Sequence, residues 1–174
     1  RSIFEAQHIT SRICGICSCG HSLASVKAAE DALGVTPTEQ TVKLRKLLLD
    51  YEFLDSHILH VYLLAAPDVL GVPSFIPLIA THNKTVRQVL RLKKAVNDCC
   101  DILVGRHIHP ITMIAGGWTK LPSKKEIDQQ IKLLEGMAAA RPLVSTAVGG
   151  VPGVVGDCES ALLVPAGMAS LLSD

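Results

Sequence analysis

The run TPTEQTVKLRKLLLDYEFLDSHILHVYLLAAPD, residues 36–68, constrains the architecture more than any other stretch of the chain. Its spacing predicts one long helix, with Thr36 or Thr38 in the N-cap region, Pro37 suited to the first turn and Pro67 ending it. The apolar positions spread over more than one stripe, so the helix is expected to be buried on most sides. A helix of this kind needs other helices around it. Suitable partners precede and follow: HSLASVKAAEDALG stops at Gly34, and a second long helix is expected from about Lys84 to Val104. VPSFIPLIATHN between them reads as a loop punctuated by Pro73 and Pro77. GRHIHPITMIAGGWTKLPS reads as irregular or short-stranded with a turn at Gly116-Gly117. SKKEIDQQIKLLEGMAAA opens a further helix, with Ser123 three residues before Glu126.

From about Met137 the texture changes. RPLVSTAVGGVPGVVGDCESALLVPAG carries two β-branched runs, Leu143 to Ala147 and Ala161 to Val164, separated by Gly/Pro turns. That alternation is α/β in style. The expected fold class is therefore mainly α, a helical bundle, with a short α/β C-terminal tail.

Composition excludes several classes. The chain has 174 residues, of which 48% are hydrophobic and 19% charged, in the range of a folded domain rather than a disordered one. Aromatics make up only 3%, so Leu, Val, Ile and Ala must fill the core. A net charge of +1 without a basic block argues against nucleic-acid binding. No uninterrupted apolar segment reaches membrane-spanning length. The N-terminus, RSIFEAQHITSR, lacks an initiator Met and a signal-peptide core and opens in mid-element, as a segment of a longer protein would. A cytoplasmic, reducing compartment follows as the expectation.

Six cysteines sit in this chain: Cys14, Cys17, Cys19, Cys99, Cys100 and Cys158. Neighbours on a helix point about 100° apart, so Cys99 and Cys100 are read as small core residues rather than ligands of one metal. RICGICSCGH is different. Cys14 and Cys17 form a C-x-x-C, whose spacing lets two thiolates on a turn converge on one metal. Redox pairs and zinc sites share that spacing, and buried thiols remain an alternative. His57 and His60, three apart on the long helix, are either a ligand pair or buried hydrogen-bonded residues.

The surroundings of the motif add a resemblance. EAQHITSRICGICSCGHSLASVKAAEDALG resembles the first signature of nickel–iron hydrogenase large subunits, R-x-C-G-x-C-x-x-x-H, with Arg12, Cys14, Gly15, Cys17 and His21 in register. LRKLLLDYEFLDSHILHVYLLAAPDVLG and GRHIHPITMIAGGWTKLPSKKE look like the family's next segments, including its G-R-x-x-H-P element. The resemblance spans about residues 1–134 and is nearest in wording to the cytoplasmic multisubunit branch. It implies a nickel–iron cofactor, with Cys14 a terminal nickel ligand and Cys17 a thiolate bridging nickel and iron, a donor type that suits both metals. It implies that His21 supports the bridging sulfur and that Asp68 is the acidic residue above the metals. It also implies that Arg106, His109 and Pro110 face a partner, a small subunit carrying iron–sulfur clusters. Dihydrogen and protons would be the substrates. Asp68 can equally be a helix-ending residue, and Cys19 is read as a packed thiol.

The family's two further cysteine ligands come from a D-P-C-x-x-C element that this sequence lacks; Cys158 stands alone in GDCES. The resemblance therefore implies the N-terminal half of a metal site, inactive by itself. The tail has a second resemblance. LLEGMAAARPLVSTAVGGVPGVVGDCESALLVPAG is similar to the donor-binding half of retaining glycosyltransferases with two Rossmann-like domains, over about residues 133–174. There Glu135 would hold a nucleotide ribose as the second member of an E-x7-E pair, but Ile127 occupies the first position. The expected division is a helical segment over 1–134 and an α/β segment over 135–174, joined as a chimera. Sugar-nucleotide binding by the tail is one alternative function. A helical domain with a structural or adventitious metal at Cys14 and Cys17 is the other.

Overall fold

The computed structural model describes residues 2–139 and the two strand segments 143–146 and 161–164, with side chains described as far as Glu135. A 3₁₀ turn, Ile3–Glu5, is capped by Ser2, whose hydroxyl accepts from the Phe4 amide while Glu5 reaches back to the Ser2 amide. It runs into α1 (Ala6–Thr10). The C-x-x-C loop follows and delivers the chain into α2 (Ser18–Leu33), which Gly34 terminates. α3 (Glu39–Ile58) begins at Thr38, whose hydroxyl accepts from the Thr41 amide, one of the two caps its sequence offers.

α3 does not stop at Pro67. It continues as a π-helical stretch over Leu59–Ala65 and one last turn, α4 (Ala66–Val69), that contains the proline. Proline is tolerated there because it sits in the first turn of the short helix, where a missing N–H breaks nothing, and the widened turns before it relieve the ring's clash. The segment read as a loop holds a single helical turn, α5 (Leu78–Thr81). α6 (Asn83–Val104) follows. It ends at Gly105, where φ is +77° and a Cβ would lie 2.9 Å from the Ile111 side chain, so both backbone conformation and space require glycine. Two short strands, β1 (Met113–Ile114) and β2 (Gly117–Trp118), pair antiparallel across Ala115-Gly116. α7 (Lys124–Ala139) starts with the expected box: Ser123 Oγ accepts from the Glu126 amide and Glu126 accepts from the Ser123 amide. The last two described elements, β3 (Leu143–Thr146) and β4 (Ala161–Val164), coincide with the two runs picked out in the tail and pair in parallel.

The core lies between α2, α3 and α6. Leu23 and Val26 of α2, Leu48, Tyr51 and Ile58 of α3, and Val89, Leu92, Val96, Leu103 and Val104 of α6 form one cluster, joined by Met113. The α6 members recur every three or four residues, the stripe of an amphipathic helix. Each fully buried leucine or valine contributes roughly 1.5–3 kcal/mol relative to exposure. Cys99 and Cys100 are buried in this cluster, as read from the sequence. α3 departs from expectation: it buries Leu48, Tyr51 and Ile58, while Val42 and Phe53 are each 52% exposed. Among the described residues only one side of it is covered, chiefly by α6 with α2 beside it. The fold is mainly α, as expected, and among the described residues strands are confined to two short pairs.

Candidate metal centre

The C-x-x-C loop bridges α1 and α2. Cys17 is the N-cap of α2, and the first bond of that helix runs from the His21 amide to the Cys17 carbonyl at 3.1 Å. Residues four apart on a helix share a face, so His21 stands one turn above Cys17. Cys14 closes the triangle from the loop. The Sγ atoms of Cys14 and Cys17 and a ring nitrogen of His21 all lie within 4.8 Å of one another, each half-buried. No other such group of three or more His, Cys, Asp or Glu side chains occurs among the described residues.

The local backbone prepares Cys14 to be a thiolate. Its pKa is lowered first by the Cys17 side chain and then by backbone N–H groups: the Cys17 and Ile16 amides each donate to Cys14 Sγ at 3.4 Å. Cys17 is raised by the same side-chain interaction and by burial. The two shifts are opposite, so of the two thiols Cys14 ionises the more readily. Two soft thiol donors and an imidazole in this arrangement suit nickel, iron or zinc.

Three nearby side chains were not singled out by sequence reasoning. Glu52, buried on α3, accepts from the Gly20 amide with both carboxylate oxygens at 3.0 Å, and burial raises its pKa. Gly20 makes that approach possible, since a Cβ there would lie 2.7 Å from Glu52 Oε1. Ser11 and Ser18, both fully buried, mark the two ends of the ligand loop. Only the absence of a Cβ in CSCGH hinted at such packing, and nothing in the sequence pairs it with Glu52.

His109 stands against the loop: its ring Nδ1 lies 2.9 Å from the Ser11 carbonyl, and its amide donates to Ser18 Oγ at 3.1 Å. Arg106 is exposed and donates to the His109 carbonyl at 3.3 Å, while Pro110 is buried. Asp68 is exposed at the end of α4 and lies outside the three-residue group. His57 and His60 are exposed on their helix with no hydrogen-bond partner among the described residues, so the reading of them as buried, hydrogen-bonded histidines does not hold. Cys19 is a packed thiol, 2% exposed, directed at the His107 carbonyl. Glu135 is exposed on α7, and Cys158 and the GGVPG turn lie outside the described residues.

A helical body with two thiols and a histidine converging at a helix N-terminus defines a protein of the metal–thiolate class. The nickel-dependent hydrogenase profile matches residues 1–89, just over half of the sequence. The alpha chain of sulfhydrogenase 2 from Pyrococcus furiosus is 41% identical over 129 residues, 74% of this chain and 31% of that protein. The vhu-type F420-non-reducing hydrogenase chain of Methanocaldococcus jannaschii is 38% identical over 135 residues, 74% of this chain and 32% of that protein. The crystal structure of an NAD+-reducing [NiFe]-hydrogenase in its H2-reduced state superposes with a TM-score of 0.69 at 29% identity, over 80% of this chain and 34% of that one. The chain belongs to the nickel-dependent hydrogenase family. It spans about a third of the length of the curated relatives it matches. A second profile, glycosyl transferases group 1, matches residues 119–174. No helix among the described residues is long and apolar enough to cross a membrane.

Proposed function

We propose that this chain carries the N-terminal half of a nickel–iron centre in a hydrogenase large subunit. The observation that carries the proposal is the convergence of Cys14, Cys17 and His21 within 4.8 Å in a member of a nickel-dependent family. Cys14 and Cys17 would hold the metals through sulfur, with His21 donating to the Cys17 sulfur. A bound nickel–iron pair supplies the polarising site at which dihydrogen is cleaved into charged halves. The chain's own part is acid–base and positional. Cys14 Sγ is the sulfur on which negative charge is favoured, and it can accept a proton. The Ile16 and Cys17 amides hold that charge in place. This sequence contains no second C-x-x-C, so the chain by itself is expected to bind no complete centre and to turn over no hydrogen.

Exposed apolar positions on α3 and its extension support a role inside a larger assembly. Val42, Phe53 and Leu64 are 52%, 52% and 54% exposed along one continuous helical run, apolar positions that further chain or a partner would cover. Arg106, His109 and Pro110 would face the small subunit, whose iron–sulfur clusters carry the electrons; Asp68 would stand over the metals. The cytoplasmic placement rests on the resemblance to the multisubunit branch. Nickel and iron analysis tests the reading when the chain is produced together with a separate segment bearing the D-P-C-x-x-C element and with a small subunit. Metal bound in a Cys14-dependent way is the expected result; none bound removes the ligand assignment.

The glycosyl transferase match and the parallel pairing of β3 with β4 favour a second reading for the tail alone. Residues 135–174 would then be a donor-binding fragment joined to 1–134, with Glu135 on the nucleotide ribose. Binding of a nucleotide sugar that survives Glu135→Ala would remove that assignment. Zinc at a stoichiometry near one, lost in Cys14→Ser, would instead favour a structural metal.

A further inference from the structure

The two ends of the ligand loop are fastened to the same three-residue segment, 89 to 98 residues away in sequence. Ser11, immediately before the loop, presents its carbonyl to His109 Nδ1 at 2.9 Å. Ser18, immediately after it, accepts from the His109 amide at 3.1 Å and donates through its hydroxyl to the His107 carbonyl at 3.3 Å. Both serines are fully buried, so each bond is made away from water, where an unpaired partner is costly. The segment is itself held. Asp101, in the last turn of α6, takes the His107 amide at 2.6 Å and lies 2.8 Å from its ring Nδ1. Thr10, at the end of α1, donates to the His21 carbonyl at 3.4 Å, a further tie across the loop.

His109 adopts φ +59°, the only non-glycine residue with positive φ among the described residues. A histidine there carries a conformational cost that a glycine would avoid. In this conformation its ring and its amide reach the two loop ends at once. An Nδ1 that faces a carbonyl must carry the proton, so the ring serves here as a donor.

We infer that His109 is a positioning residue for the metal centre: it clamps Ser11 and Ser18 and thereby sets the separation of the Cys14 and Cys17 sulfurs. This rests on the assignment of Cys14 and Cys17 as ligands, and it gives His109 a role within this chain in addition to the partner-facing one. Groups that orient ligands without touching the metal change affinity by roughly ten- to hundredfold when removed.

The test is a Co2+ titration of the full chain, read by the thiolate-to-metal charge-transfer band. Wild type is compared with Cys14→Ser, His109→Ala, His109→Gly, His109→Asn and Ser18→Ala. The expected result is a loss of roughly tenfold or more in affinity for His109→Ala and for His109→Gly. His109→Asn is expected to recover most of the affinity, because its amide NH₂ can replace Nδ1–H and asparagine tolerates the left-handed conformation. Ser18→Ala keeps the histidine and loses one clasp, so it reports if His109→Ala fails to fold. Unchanged affinity in both His109→Ala and Ser18→Ala overturns the inference, as does a His109→Asn variant as weak as alanine.

A second arm needs no metal. Oxidised dithiothreitol is equilibrated with each variant; it is reduced as Cys14 and Cys17 lose two protons and two electrons to form a bridge, mapped by tandem mass spectrometry. Loosening the clamp should lower that equilibrium constant by about fivefold, the worth of one hydrogen bond. If wild type binds Co2+ equally well without Cys14, the ligand assignment falls, and the bridge equilibrium alone decides the clamp: no change on His109→Ala overturns it.

Discussion

Both carboxylate oxygens of Glu52 lie 3.0 Å from the amide nitrogen of Gly20, one turn into the helix that carries the candidate ligands. The contact fastens α3 to the first turn of α2. Its geometry depends on glycine, because a Cβ at position 20 would lie 2.7 Å from Glu52 Oε1. In Gly20→Ala the carboxylate must move and the buried groups lose each other. We expect a loss of about 1–3 kcal/mol, read as a lower denaturation midpoint at unchanged slope. An unaltered midpoint would show that the contact contributes nothing.

A buried ion pair should make the fold acid-sensitive. Arg45 donates to both oxygens of Glu30 at 2.6 and 2.8 Å, and Glu30 also accepts from the Gly116 amide. The Arg45 hydrogen bonds hold the Glu30 carboxyl below its ordinary value of 4.5. A depressed folded-state pKa gives stability that is present above 4.5 and lost as pH falls through the lower, folded value. Thermal midpoints measured from pH 6 downward should therefore fall, and the fall should be shallower in the paired variant Glu30→Leu/Arg45→Met. Single removal of Arg45 leaves a buried carboxylate and should cost roughly 3–5 kcal/mol at neutral pH.

Thiol reactivity should divide along the same lines as burial. Cys14 carries the lowered pKa and a half-exposed sulfur, whereas burial pushes Cys100 up to about 12 and Cys19 higher still. Brief iodoacetamide treatment of the native chain at neutral pH should modify Cys14 well before Cys19, Cys99 or Cys100. Peptide mapping checks the order, and unfolding in guanidinium should abolish it. Labelling of Cys100 at the rate of Cys14 would contradict the packing of α6.

A fourth expectation concerns α7. Tyr51 donates its hydroxyl to Gln130 Oε1 at 2.7 Å, with both residues buried. Tyr51→Phe leaves the Gln130 oxygen without a donor in a dry site and should destabilise by about 1–3 kcal/mol. Gln130→Leu in the same background should recover part of that loss, since two apolar groups leave nothing unpaired. Chemical denaturation of the single and double variants measures the coupling.

The helices were legible because their signals are local: the Thr38 and Ser123 caps, the Gly34 and Gly105 stops and the stripe on α6 each rest on residues within a few positions of one another. The grouping of Cys14, Cys17 and His21 was legible for the same reason, since the three lie within eight residues. What escaped depends on long-range contact. Glu52 meets Gly20 across 32 residues and His109 meets Ser11 across 98, and no spacing rule links them. Pro67 misled because a proline is a stop signal only when the turn before it is a regular α-turn. The exposed face of α3 misled in the other direction. Its apolar Val42 and Phe53 are each 52% exposed among the described residues, and a pattern of apolar positions does not say what covers them.

The tie between Tyr51 and Gln130 bears on where the chain can be divided. The two family matches cover 1–89 and 119–174, which invites a cut in the gap between them. Yet Gln130, Leu133 and Leu134 of α7 pack against the hydrogenase-like core. A truncation before residue 119 would strip one wall from the bundle and leave a tyrosine hydroxyl stranded. Whatever the ancestry of this helix, its physical allegiance is to the body in front of it, and a cut that spares this core falls beyond Leu134.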